Sequence, residues 1–216
     1  PSVRLEGPQQ YLLIHSKWFN YSFWVNGFLP RLLMTKQEGL LANSTLIMSD
    51  SWDKFPFIRE SVEAFKVKTK SIAPGVSLFV DELVMPEMRE RTASFYPPLI
   101  KETSEYLIAF ALTKTPKVTY GKKIYLTRKQ RGVRTIENET ELSNCLAKEG
   151  YETVVFENLT FWEQVLIMNN ASHFVSIHGA GFTNVMFMKK GTIAIEIMEY
   201  DFAHYGNAFP HEKLSV

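Results

Sequence analysis

The stretch SIHGAGFTN (176–184) sets a histidine, two glycines, a threonine and an asparagine at the junction of two apolar runs. Small residues let a backbone approach a ligand closely, and polar ones can hold it. The strand-like run HFVSIHG (173–179) leads into this stretch and a short helical run follows it. In an open parallel sheet, ligands bind outside the carboxyl ends of strands, and a helix start offers unpaired N–H groups to an anion. Gly179 and Gly181, with Ala180 between them, remove side chains that would block a phosphate. Thr183 and Asn184 can add hydrogen bonds from the first turn, and His178 either points into the same crevice or packs beneath it. The competing reading is a tight turn with nothing bound. The spacing is not the dinucleotide fingerprint, because the third glycine is absent.

Two arginines and an acid bear on the same place. Arg128 closes the strand-like run KKIYLTR and projects from its carboxyl end, and Arg134 follows in the loop RKQRGVR. Guanidinium groups on that rim suit a diphosphate, which they grip in bidentate fashion. Lys129 and Arg131 read as solvated loop residues. Glu196 lies inside the apolar run IAIEIM, so it is either at a sheet edge or buried with a partner. Beside a nucleotide it could accept hydrogen bonds from ribose hydroxyls.

The elements that must position these residues alternate along the chain. Strands are expected at 11–16, 45–50, 76–86, 122–128, 151–157, 173–179 and 192–198. Helices are expected at 20–40, 56–66, 97–112, 137–150 and 160–171, with Pro30 marking a kink or a new start in the first. Short connections between alternating strands and helices mean parallel sheets covered by helices. The polar stretch KTPKVTYGK (114–122) is the expected boundary, dividing residues 1–115 from 116–216 as two Rossmann-like halves. Asn138 with Glu141, and Asn158 or Thr160 with Glu163, read as helix entries, and Gly150 as a helix exit.

Composition excludes several classes. Hydrophobic residues are 45% and charged residues 22%, an ordinary globular balance, and the net charge is +1. With no basic run, nucleic acid is not an expected partner. One cysteine, Cys145, permits no intrachain disulfide and reads as a small buried hydrophobe. No apolar stretch reaches membrane-spanning length, though the opening PSVRLEGPQQ, without methionine, reads as a fragment compatible with a leader or anchor upstream. Asn-x-Ser/Thr occurs at Asn20, Asn43, Asn138, Asn158 and Asn170, and would mark glycan sites only in a secretory protein. Trp18 and Trp24 are the acceptor-side stacking candidates, and the hydrophobic helix 23–34 is either core or a face for a partner or membrane surface.

The series RGVRTIENETEL (131–142), LTFWEQ (159–164), SIHGAGFTNVMFM (176–188) and IAIEI (193–197) resembles the catalytic domain of family 61 glycosyltransferases, whose bacterial members include capsular polysaccharide biosynthesis proteins. NYSFWVNGFLPRLL (20–33) and VDELVMP (80–86) resemble its earlier landmarks. The resemblance implies a GT-B architecture and inverting transfer of a sugar from a nucleotide-sugar donor to a hydroxyl of a glycan or lipid-linked glycan. It places the H-G-A-G loop and Arg128 at the donor diphosphate, with Arg134 and Glu196 nearby. It also implies a bacterial cytoplasmic protein at the inner face of the membrane, peripherally associated with it, or a lumenal one if the source is eukaryotic. Phe23 and Gly27 depart from the family, which is expected to carry histidine and an acid there. His15, Asp50 and Asp81, at predicted strand ends of the first half, are the substitutes for a catalytic base, with His178 a further candidate.

Inverting transfer needs a base for the acceptor proton, donors that neutralise the departing diphosphate, and orientation of the sugar between them. The second need is met visibly, and without a D-x-D triplet no metal or other cofactor is expected. Two rivals are a non-catalytic sugar-nucleotide or glycan-binding module, which Phe23 and Gly27 favour, and another nucleotide enzyme such as a dehydrogenase.

Overall fold

The computed structural model describes residues 1–15, 19–87, 97–114, 119–128 and 135–198. The chain divides into two compact units, Pro1–Leu99 and Ile100–Val216. Among the described residues, each is an α/β unit built on a four-stranded sheet in which every pairing is parallel.

The first unit carries β1 (Ser2–Leu12), β2 (Ser44–Ser49), β3 (Lys68–Ile72) and β4 (Ser77–Val84), in the order β3-β2-β1-β4. Two of these strands differ from expectation. β1 is longer than the run 11–16: Val3 and Leu5 alternate with polar residues, but Gly7 and Pro8 break the pattern before Tyr11, and pairing with β4 is irregular between Leu5 and Gln10. β3 reads KTKSI, an exposed edge strand whose polar side chains blunt its free edge.

Between β1 and β2 runs one helical segment with a change of register inside it. α1 (Tyr21–Phe23) is capped by Asn20, whose Oδ1 accepts from the Phe23 N–H at 2.9 Å. A π-helical turn, Trp24–Phe28, follows, then α2 (Leu29–Gln37). Pro30 explains the change: it has no N–H to return to Asn26, and the Leu29 N–H bonds the Trp24 carbonyl, five residues back. Pro30, read from the sequence as a kink or a new start, is not a break: the helix continues through it with a change of register. Trp24, Val25, Phe28, Leu29, Leu32 and Leu33 are buried, so this segment is core and is not free to lie on a membrane. α3 (Pro56–Glu63) joins β2 to β3 and buries Ile58 and Val62.

The second unit carries α4 (Pro97–Lys114), β5 (Lys123–Leu126), α5 (Glu139–Lys148), β6 (Glu152–Val154), α6 (Phe161–Asn170), β7 (His173–Ile177) and β8 (Ile193–Ile197). Its strand order is β6-β5-β7-β8. The division falls at Leu99/Ile100, ahead of the polar stretch 114–122. The reason is α4, which packs downstream: Ser104 Oγ donates to the Met186 carbonyl at 2.8 Å, and Phe110 lies 4.9 Å from Trp162 between ring centroids.

Thr160 caps α6 in a full capping box with Glu163, so it, and not Asn158, is the entry residue. Asn138 stands at the start of α5 without a side-chain cap, its amide donating instead to Glu141 at 3.2 Å. Gly150 ends α5 with φ +80, a conformation that suits glycine. Cys145 is exposed rather than buried, because the face of α5 that carries it looks to solvent. Among the described residues no helix is long and apolar enough to cross a membrane.

Candidate functional site

The order β6-β5-β7-β8 fixes one special place. The chain passes from β5 outward to β6, then returns to the other side of β5 to form β7. The carboxyl ends of β5 and β7 thus flank the point where the strand order reverses, where an open parallel sheet leaves a crevice. Leu126 is in register with Ser176, so Arg128 and His178 emerge as neighbours, each two residues further on.

The geometry bears this out. Arg128 Nη1 reaches toward the His178 carbonyl at 3.4 Å. Gly179 gives it room, since a Cβ there would stand 2.5 Å from that Nη1. Among the described residues no carboxylate pairs with this guanidinium. An arginine at a strand end is placed to take an anion.

His178 is buried and its Nδ1 lies 2.7 Å from Glu196 Oε1. A carboxylate only accepts, so Nδ1 carries the proton and the ring is fixed in that tautomer. Register does the positioning: Glu196 pairs with Ser176 on the neighbouring strand, and the His178 N–H donates to the Ile197 carbonyl at 2.8 Å. Glu196 thus has a partner while only part-buried, on β8, which ends the strand order among the described residues, so the two settings open to it coincide.

The turn itself is a 3-10 helix, Ala180–Phe187, entered from Gly179. Gly181 serves packing, because a Cβ there would meet Leu126 Cδ2 at 2.8 Å. Thr183 and Asn184 are buried, and Asn184 Nδ2 donates to the Gly181 carbonyl at 3.1 Å, bracing the loop from inside. Asn184 therefore supports the turn through its Nδ2, and Thr183 is buried in the same turn.

Beneath the end of β5 lies a cluster that the sequence did not announce. Tyr125 OH and Thr127 Oγ1 both donate to Glu139 Oε1, the former at 3.1 Å. Burial, and then the Glu139 carboxylate, push the Tyr125 phenol well above its usual range, so it stays a donor. The cluster ties the first turn of α5 to the strand that delivers Arg128. Only the alternation of Tyr125 and Thr127 along β5, with a glutamate opening the next helix, could have signalled it.

The first-unit candidates separate. His15 stands past the end of β1, edge-on to Trp52 at 4.7 Å, and Arg31 Nη1 donates to the preceding carbonyl of Ile14. Burial, then the Arg31 charge, lower the His15 pKa to about 4. A base so weakened holds little driving force for taking a hydroxyl proton. Asp50 is exposed, directly after β2. Asp81 is mid-strand in β4 rather than at its end, exposed, and 3.8 Å from Arg4 Nη1, so its place among strand-end candidates is corrected. Trp24 is also corrected: it is fully buried and donates through Nε1 to Ser61 Oγ at 2.8 Å, so it cannot stack on a sugar. Trp18 and Arg134 lie outside the described residues. Among the described residues, no three His, Cys, Asp or Glu side chains gather as a metal site would require.

Comparison with known proteins meets this geometry. The family model Glycosyltransferase 61 matches residues 21–195. The chain belongs to glycosyltransferase family 61. Its relatives include the human protein O-linked-mannose β-1,4-N-acetylglucosaminyltransferase 2, 35% identical over 86 residues, which is 38% of this chain and 15% of the human protein. The Xenopus tropicalis protein of the same name is 39% identical over 88 residues, again 38% and 15% of the two chains. The mouse protein is 35% identical over 83 residues, 37% of this chain and 14% of its own length. The matched stretch is thus a small part of these relatives. The family 61 match runs from α1 into β8 and so takes in residues of both units.

Proposed function

We propose that this chain transfers a sugar, with inversion, from a nucleotide-sugar donor to a hydroxyl acceptor, and that the donor diphosphate is received where β5 and β7 end. The observation that carries this reading is the Arg128 guanidinium, without a carboxylate partner among the described residues, held against the His178–Gly179 backbone at the point of strand reversal. As the bond from the sugar to the diphosphate breaks, negative charge gathers on the leaving oxygen. Arg128 is placed to neutralise it, and Glu196 fixes the orientation of the ring of His178, whose carbonyl the guanidinium meets. Neutralisation by protein groups alone makes the reaction independent of metal ions, and the GT-B architecture implied by the family resemblance belongs to the same proposal.

The names of the vertebrate relatives suggest N-acetylglucosamine as the sugar and protein-linked mannose as the acceptor. The capsular-polysaccharide resemblance suggests a growing surface glycan instead, free or lipid-linked. A thermal-shift screen of UDP, GDP, CMP, ADP and dTDP, with and without EDTA, tests the donor site. A rise with one nucleotide that survives EDTA and disappears in Arg128→Ala supports the reading. No rise with any nucleotide, from a protein that melts cooperatively, rejects it.

A second reading, a binding module that has lost turnover, is favoured by Phe23 and by Gly27, which lies buried inside the π-helical turn. Nucleotide binding without transfer to either acceptor class would select it.

A further inference from the structure

Half of the chain's ten asparagines open an Asn-x-Ser/Thr sequence. Serine and threonine fill about one position in seven, so chance would supply only about one or two. The sequence offered a structural account for two of the five, Asn138 and Asn158, as helix entries. The structure leaves it weaker: Asn138 holds the entry position of α5 but caps no backbone N–H with its side chain, and Thr160, not Asn158, caps α6. All five, Asn20, Asn43, Asn138, Asn158 and Asn170, are exposed. Of the other asparagines, Asn26 and Asn184 are buried.

The atoms are equally permissive. A glycan is carried on Nδ2, leaving Oδ1 and one amide proton. Asn43 and Asn158 have no side-chain hydrogen bond to any described residue. Asn20 uses only Oδ1 to cap α1, and the same oxygen caps equally well in a glycosylated amide. Asn138 and Asn170 each donate one Nδ2 proton, to Glu141 and to the Tyr120 carbonyl, and a substituted amide still has one to give. At the Asn43 site, Thr45, the hydroxyl residue of the sequence, is buried in β2, so modification there precedes folding of the strand.

We infer that this domain is N-glycosylated, with Asn43 and Asn158 the principal sites, and that it therefore works in a secretory compartment. In the step, the asparagine Nδ2 attacks the anomeric carbon of an oligosaccharide carried on a lipid diphosphate. The carbon–nitrogen bond forms, the carbon–oxygen bond to the diphosphate breaks, the lipid diphosphate leaves with the electron pair, and the amide loses one proton.

The test uses the protein isolated from its own source. It is digested with peptide-N-glycosidase in water labelled with oxygen-18, and its peptides are weighed. Labelled aspartate at Asn43 or Asn158, with a loss of mass of the intact chain on digestion, is the expected result. Unmodified asparagine at all five positions overturns the inference. As a second measurement, Asn43→Gln and Asn158→Gln, expressed in the same source cells, should each remove one glycan step from the intact mass while the chain stays folded. Variants whose mass before digestion matches the bare polypeptide, like that of the parent, overturn it equally.

Discussion

The guanidinium of Arg128 occupies the space that a side chain at Gly179 would fill: a Cβ there would lie 2.5 Å from Nη1. A strand-end arginine and a glycine fifty-one residues away in the sequence therefore behave as one feature. Arg128→Ala should weaken nucleotide binding roughly ten- to hundredfold, the worth of a charged hydrogen bond or two. Gly179→Ala should weaken it comparably by displacing the guanidinium, and the double variant should be little worse than either. Calorimetric titration of the nucleotide found in the screen decides this. Additive losses would mean that the two residues act separately.

Glu196 is expected to act through His178. Glu196→Ala orphans a buried imidazole N–H and should cost about 1–3 kcal/mol of stability. Glu196→Gln keeps an acceptor oxygen and should recover most of that stability while leaving donor affinity reduced. Thermal melts read beside nucleotide titrations separate the two effects. Full affinity in Glu196→Gln would leave the pair a purely structural one.

Trp24 should matter for folding and not for recognition. Trp24→Ala removes a fully buried indole and should cost about 3–5 kcal/mol. Trp24→Phe should retain most of the packing, losing chiefly the bond to Ser61. Per mole of folded protein, nucleotide and acceptor affinities should match the parent. A selective loss of acceptor binding in Trp24→Phe would return the ring to the site.

His15 gives stability a pH dependence of definite sign. Its pKa falls from 6.5 to about 4 on folding, so the unfolded chain binds the proton more tightly. The stability from this group is full above pH 6.5, falls as pH drops through the window, and is wholly lost below about 4. With part of the ring open to solvent, the full loss is on the order of 2 kcal/mol. His15→Gln should flatten that part of the melting-temperature profile between pH 7 and pH 4.5. An unchanged slope would show that carboxylates alone set the acid limb.

Much of the fold was legible because buried parallel strands write themselves as apolar runs. TLIMS, KIYL, HFVSI and IAIEI are all strands within a residue or two of expectation. β3 and the first part of β1 were not, because their residues satisfy backbone pairing without burying an apolar face. Arg128 and the His178 loop were legible as strand-end residues, and pairing of β5 with β7 brings them together. The bond between His178 and Glu196 was not, since it depends on β8 lying beside β7 in one particular register.

The all-parallel pairing has a kinetic consequence. Among the described residues no two sequential strands form a hairpin, so no strand pair can form by closing a short turn. Ser2 must wait for Ser77 before β1 and β4 can zip, and β5 must wait for β7 across both α5 and α6. Pairings of such long sequence separation form late and slowly. During that delay the apolar strands TLIMS and HFVSI lie open to other chains, and dilution or chaperone shelter should govern how much native protein is recovered from denaturant.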